Sequence, residues 1–85
     1  MKIEEIKEAL YDYIKEEFNI GDDPDFSTDI NLFDYGFVDS FGASMIIMFI
    51  EKKFNIEITQ KDIVLYPMNS IDEISEIVMS KNALQ

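Results

Sequence analysis

Apolar side chains return at steps of three and four at the start of the chain: Ile3, Ile6, Leu10, Tyr13, Ile14 and Phe18. That period gathers them on one stripe of an α-helix and leaves Glu4, Glu5, Lys7, Glu8, Asp12, Lys15 and Glu16 outside it. A helix with a single apolar stripe must bury it against other elements, so the first stretch already demands a helical layer packed on a partner. The predicted helix starts at Ile3 and ends near Asn19 to Gly21, where Gly21 is positioned to supply a left-handed cap.

The partners follow in the same pattern. A second helix is predicted from Ser40 to about Lys53, with Asp39 and Ser40 both good residues for its start. Ile46, Phe49, Ile50 and Phe54 form its buried stripe, Ala43 and Ile47 lie beside it, and Lys52 and Lys53 suit the negative end of its dipole. Phe54 to Ile58 alternates apolar and polar residues, as a short extended stretch does. Thr59 and Asp62 form a capping box that opens a brief helix, Gln60 to Leu65, ended before Pro67. Ser70 and Glu73 form another, opening a last helix with Ile71, Ile74, Ile77 and Val78 inward and its end near Lys81, after which Asn82 to Gln85 fray. The expected fold is all-α, with three main helices, one short helix and a long ordered loop between the first and second helices.

That loop, Gly21 to Asp39, is too long to be a passive link, since connections beyond about 12–15 residues in a small domain are uncommon and usually functional. Phe26, Ile30, Leu32, Phe33, Phe37 and Val38 predict that it packs on the bundle, and Gly36 lets it turn sharply into the second helix. Asp23, Asp25, Ser27, Asp29 and Asp34 echo the spacing of a calcium-binding loop. However, Thr28 stands where the turn glycine belongs, and Tyr35-Gly36 interrupts any outgoing helix. A solvated acidic loop is the expectation, with no metal site.

Composition narrows function further. With 85 residues the chain is read as one domain, residues 1–85. It contains no cysteine and no histidine, so disulfides, thiol nucleophiles and the commonest general base are all missing. That is a poor endowment for catalysis, and no enzymatic activity is expected. Eighteen acidic against seven basic residues give a net charge of −11, which disfavours nucleic acid and anionic membranes and favours basic protein partners. No apolar run approaches the about 18 residues of a membrane span, and Met1 to Leu10 lacks a signal peptide's apolar stretch. A cytoplasmic monomer is the expectation.

The chemistry concentrates in Leu32-Phe33-Asp34-Tyr35-Gly36-Phe37-Val38-Asp39-Ser40-Phe41-Gly42. It sets a serine beside an aspartate at a helix start, where free N–H groups and partial positive charge suit a phosphate ester. Gly42 is read as leaving room beside the hydroxyl for a bulky attachment or an approaching enzyme. Serine and aspartate are also ordinary helix caps, so the pair alone supports either a modified serine or a plain cap.

Set in this loop and followed by an apolar helix ending in Glu51-Lys52-Lys53-Phe54, the Asp39-Ser40-Phe41 triplet resembles the acyl carrier protein family over nearly the whole chain. The resemblance implies a 4′-phosphopantetheine arm placed on Ser40 by a separate phosphopantetheinyl transferase that uses coenzyme A and Mg²⁺. Asp39 then serves transferase and Mg²⁺ recognition. Cargo rides as a thioester on the arm, loaded by an adenylating ligase or an acyltransferase and passed to a downstream acceptor enzyme. Gly36-Phe37-Val38-Asp39-Ser40-Phe41-Gly42 is similar to D-alanyl carriers and related aminoacyl or peptidyl carriers. Carriers of fatty-acid synthesis typically have one residue between glycine and aspartate and a leucine after the serine. An activated amino acid is therefore the expected cargo, with a fatty-acid or polyketide-like acyl carrier as the alternative. From Phe41 to Ile50 the second helix bears no charge. Phe41, Met45, Met48 and Val38 are the expected partner-docking residues, an adaptable apolar patch beside the arm. A reading of another class stays open, an unmodified helical adaptor that binds through this patch.

Overall fold

The computed structural model describes residues 1–83 and contains four helices in the expected order: α1 (Ile3–Glu17), α2 (Ser40–Phe54), α3 (Gln60–Leu65) and α4 (Ile71–Ala83). No strand occurs among the described residues. Ile56 and Ile58 are buried and Glu57 is exposed, so the alternation seen after Phe54 is real but pairs with no neighbour.

α1 buries Ile6, Leu10 and Ile14, places Glu4 and Glu5 at its positive end, and packs its stripe against α4. Its exit differs from expectation by two residues. Asn19, at φ 53°, takes the left-handed position, with Asn19 N–H donating to the Glu16 carbonyl and Ile20 N–H to that of Lys15. This is a Schellman closure with asparagine in place of glycine. Gly21 also has positive φ (65°) but only after the cap is complete.

The loop is tied down at both ends of its middle section. Leu32 N–H donates to the Asn69 carbonyl at 2.8 Å, and Asp72 N–H donates to the Thr28 carbonyl at 3.0 Å. Phe26 and Leu32 are buried, and Phe26 stacks on Tyr11 of α1 while meeting the edge of Phe37. Asn31 Oδ1 accepts from the N–H groups of Phe33 and Asp34, an Asx turn, and Gly36 at φ 77° completes the bend toward α2.

α2 buries Ile46, Ile50 and Phe54 and ends at Asn55, again left-handed at φ 54°. Phe49 is half-buried and stacks on Tyr13 of α1, centroids 4.0 Å apart. α3 opens on a complete capping box between Thr59 and Asp62. Asp62 then bonds Lys81 of α4, joining the two helices.

At the start of α4 the expected box is only half present. Ser70 Oγ accepts from Glu73 N–H, but the Glu73 carboxylate reaches one residue further back, to Asn69 N–H. The helix also continues past Lys81 through Asn82 and Ala83, where fraying was expected; residues 84 and 85 lie outside the described residues. Ile71, Ile74, Ile77 and Val78 complete the core, and Lys7–Asp72 bridges α1 to α4 at 3.2 Å. No helix among the described residues is long and apolar enough to cross a membrane.

Candidate functional site

α2 begins where the ordered loop delivers Asp39 and Ser40 to the surface. Asp39 is the N-cap, in extended conformation, and its carboxylate accepts from Gly42 N–H at 2.8 Å while its carbonyl accepts from Ala43 N–H at 2.8 Å. Ser40 is the first residue of the helix and is exposed. Capping is therefore done by the aspartate, which leaves the serine hydroxyl out of that role. The N–H groups of Ser40 and Phe41 precede any turn whose carbonyls could accept from them. Serine oxygen, unpaired amides and the positive end of the dipole meet at one exposed point, a combination that fits a phosphodiester.

Phe41 and Met48 project from the same helix and are 75% and 67% exposed. Met45 lies between them at the i, i+4, i+7 spacing and is half-buried, with Tyr13 Oη directed at its carbonyl at 3.5 Å. Val38 does not share this surface. At 4% exposure it belongs to the core, so its side chain offers nothing for a partner to touch. Gly42 is corrected in the same sense: it is buried, and the room it leaves lies inward, against Phe18 and Val38, not beside the Ser40 hydroxyl.

The sequence reading missed the outer face of α3. Val64 is 80% exposed and Ile63, Leu65 and Tyr66 are also exposed, and they border an open groove that reaches Ala43 and Ile47 on α2. The signal was available: three successive apolar residues on a six-residue helix, followed by Tyr66 at its C-cap, cannot all face one core. Between that groove and the core, Leu32, Phe33, Ile46, Met68 and Ile74 line a small, partly open apolar pocket of about 30 Å³. A cleft of about 380 Å³ between α3 and α4, lined by Tyr66, Ile77 and Lys81 among others, includes none of the residues around Ser40.

The acidic loop spends part of its carboxylates on local turns, Asp23 accepting from Asp25 N–H and Asp29 from the Ser27 hydroxyl. Among the described residues no group of acidic side chains is arranged to hold a metal ion.

Comparison with known proteins bears on the same stretch. Residues 8–78 match the family described as phosphopantetheine attachment site, a span running from α1 through α4 and including Asp39 and Ser40. No curated protein matches the chain. Because the family match covers well over half of the sequence, the chain belongs to the phosphopantetheine attachment family, non-catalytic carrier domains that hold 4′-phosphopantetheine covalently on a serine.

Proposed function

We propose that Ser40 is the attachment serine and that the chain carries an activated amino acid. The observation that carries the first half is positional: Ser40 is exposed at the first position of α2, freed from capping by Asp39, inside the span of the family match. When bound, 4′-phosphopantetheine supplies a terminal thiol on which cargo rides as a thioester. The chain's own residues do the rest. The first turn of α2 offers two amides and a positive dipole end to the phosphodiester oxygens. Asp39 adds a carboxylate beside the hydroxyl, suited to the Mg²⁺ of a transferase because this cation is held through one or two carboxylates.

Size supports the cargo class. A cavity needs about 10–15 Å³ to hold one water, and apolar cavities near 150 Å³ take a six-carbon ring. The 30 Å³ beside Ala43 and Ile46 is far too small to swallow a medium acyl chain. A compact aminoacyl group needs no such shelter. Phe41, Met45 and Met48 form the docking surface for the enzymes that load and unload the arm, with shape and apolar contact in place of charge on that helix. The four helices of one bundle and a match from residue 8 to 78 support reading residues 1–85 as a single carrier unit.

Localisation tests the assignment. After treatment with a broad-specificity transferase and coenzyme A, fragmentation of the modified peptide should place the added mass on Ser40 and not on Ser27 or Ser44. Mass on another serine overturns it.

A further inference from the structure

Gly42 is the third residue of α2, and it faces two ways. Toward the start of the helix its N–H is the donor that the Asp39 carboxylate holds at 2.8 Å. On the inner side a Cβ placed on it would lie 2.7 Å from Phe18 Cε1 and 3.1 Å from both Phe18 Cζ and Val38 Cγ1. The first of these is closer than real Cβ atoms come, so something would have to move.

Neither of the usual reasons for glycine applies. Gly42 is not among the positive-φ residues, unlike Gly21 and Gly36, so no left-handed backbone requires it. Alanine is also the better helix former. What remains is space for the Phe18 ring. The Phe18 backbone is fixed, since it is the C-cap of α1, its N–H bonds the Ile14 carbonyl, and the closure through Asn19 and Ile20 follows it. Its half-buried ring packs against the core. Val38 is equally fixed, packed in the core immediately before the cap residue.

We propose that the Phe18–Gly42 contact sets the height and rotation of the first turn of α2, making Gly42 a positioning residue for modification of Ser40. The proposal rests on the reading of Ser40 given above. A methyl group at position 42 pushes the turn away from α1 and shifts the very amide that orients the Asp39 carboxylate. Asp39 and Ser40 are then presented out of register with each other's partners on the transferase, although neither is altered.

The test is the kcat/KM for phosphopantetheine transfer from coenzyme A, read by intact mass at a temperature well below the melting of every variant. Gly42→Ala should lower it by about tenfold or more, since a displacement near 1 Å at a reacting group costs up to about a hundredfold. Phe18→Leu removes the Cε1 and Cζ atoms. Added to Gly42→Ala it should restore the rate to within about threefold of wild type, the coupling expected of residues in direct contact. The same change removes packing and lowers the melting temperature, so rate and stability move in opposite directions, which a purely structural role would not produce. A folded Gly42→Ala modified at the wild-type rate overturns the proposal, as does a slow Gly42→Ala that Phe18→Leu fails to rescue. Should Gly42→Ala alone not fold, the double variant decides, and its failure to fold or to be modified overturns the proposal. Wild type that is never modified at Ser40 instead removes the Ser40 reading itself, and this proposal with it.

Discussion

Asp39 is the residue at which structure and proposed function overlap, and the two can be separated chemically. Its carboxylate caps α2 through Gly42 N–H. Asparagine caps as well as aspartate, whereas alanine forfeits about 1 kcal/mol. For a domain of this length that corresponds to a fall of about 4–8 °C in melting temperature. Asp39→Ala should therefore lose both stability and modification by the transferase. Asp39→Asn should melt close to wild type yet be modified at least about tenfold more slowly, because the charge a Mg²⁺ ion needs is gone. Equal rates for wild type and Asp39→Asn, measured by intact mass over time, would remove Asp39 from recognition and leave it a cap. The residue scale is also where the sequence was least legible. Val38 and Gly42 stand next to the Asp-Ser pair and were read as surface features, but both turn inward. Which way a residue faces at the junction of loop and helix depends on Phe18, some twenty positions earlier, and no local pattern encodes that contact.

At the scale of elements, the joint between α3 and α4 carries a pH signature. Lys81 and the Thr59 backbone hold the Asp62 carboxyl down to about 2, from an ordinary value near 3.8. A carboxyl lowered on folding stabilises the folded form above its unfolded value and loses that contribution as pH falls through its folded value. The melting-temperature difference between wild type and Asp62→Asn should hold steady above about pH 5 and shrink toward zero near pH 2. A difference as large at pH 2 as at pH 6 would contradict the pairing. Elements were the legible scale. Both signals are local: the Thr59–Asp62 box predicted α3 to the residue, and the stripe from Ile3 to Phe18 predicted α1 with an end two to four residues too late. The misses were local signals with two solutions. Asn19 adopts the left-handed position as Gly21 would, and Glu73 finds an amide at Asn69 as readily as at Ser70. The length of α4 was underestimated because nothing after Lys81 breaks a helix.

At the scale of the whole molecule, the core is full. α1 and α4 pack stripe to stripe, the loop closes over them with Phe26 and Leu32, and the apolar pocket beside Ala43 and Ile46 holds about 30 Å³. The small pocket beside Ala43 and Ile46 cannot take a long cargo without the helices parting. Loading Ser40 with acyl-pantetheine arms of two to eight carbons should leave the melting temperature unchanged within about 1 °C, since no added apolar area is buried. A rise that grows with chain length would show that the helices part to admit the chain, and would favour the acyl carrier over the aminoacyl one. The same full core explains why the sequence, through its apolar stripes, conveyed the bundle but not the exposed face of α3, whose residues are left over when the interior is filled.

Attachment of the arm to Ser40 is read from intact mass. Wild type and Ser40→Ala are incubated with coenzyme A, Mg²⁺ and a broad-specificity phosphopantetheinyl transferase, with a known carrier alongside as control. Wild type should gain the mass of one phosphopantetheine and Ser40→Ala none. Folded wild type that gains nothing while the control is modified, or a Ser40→Ala variant that gains the same mass, would contradict the account.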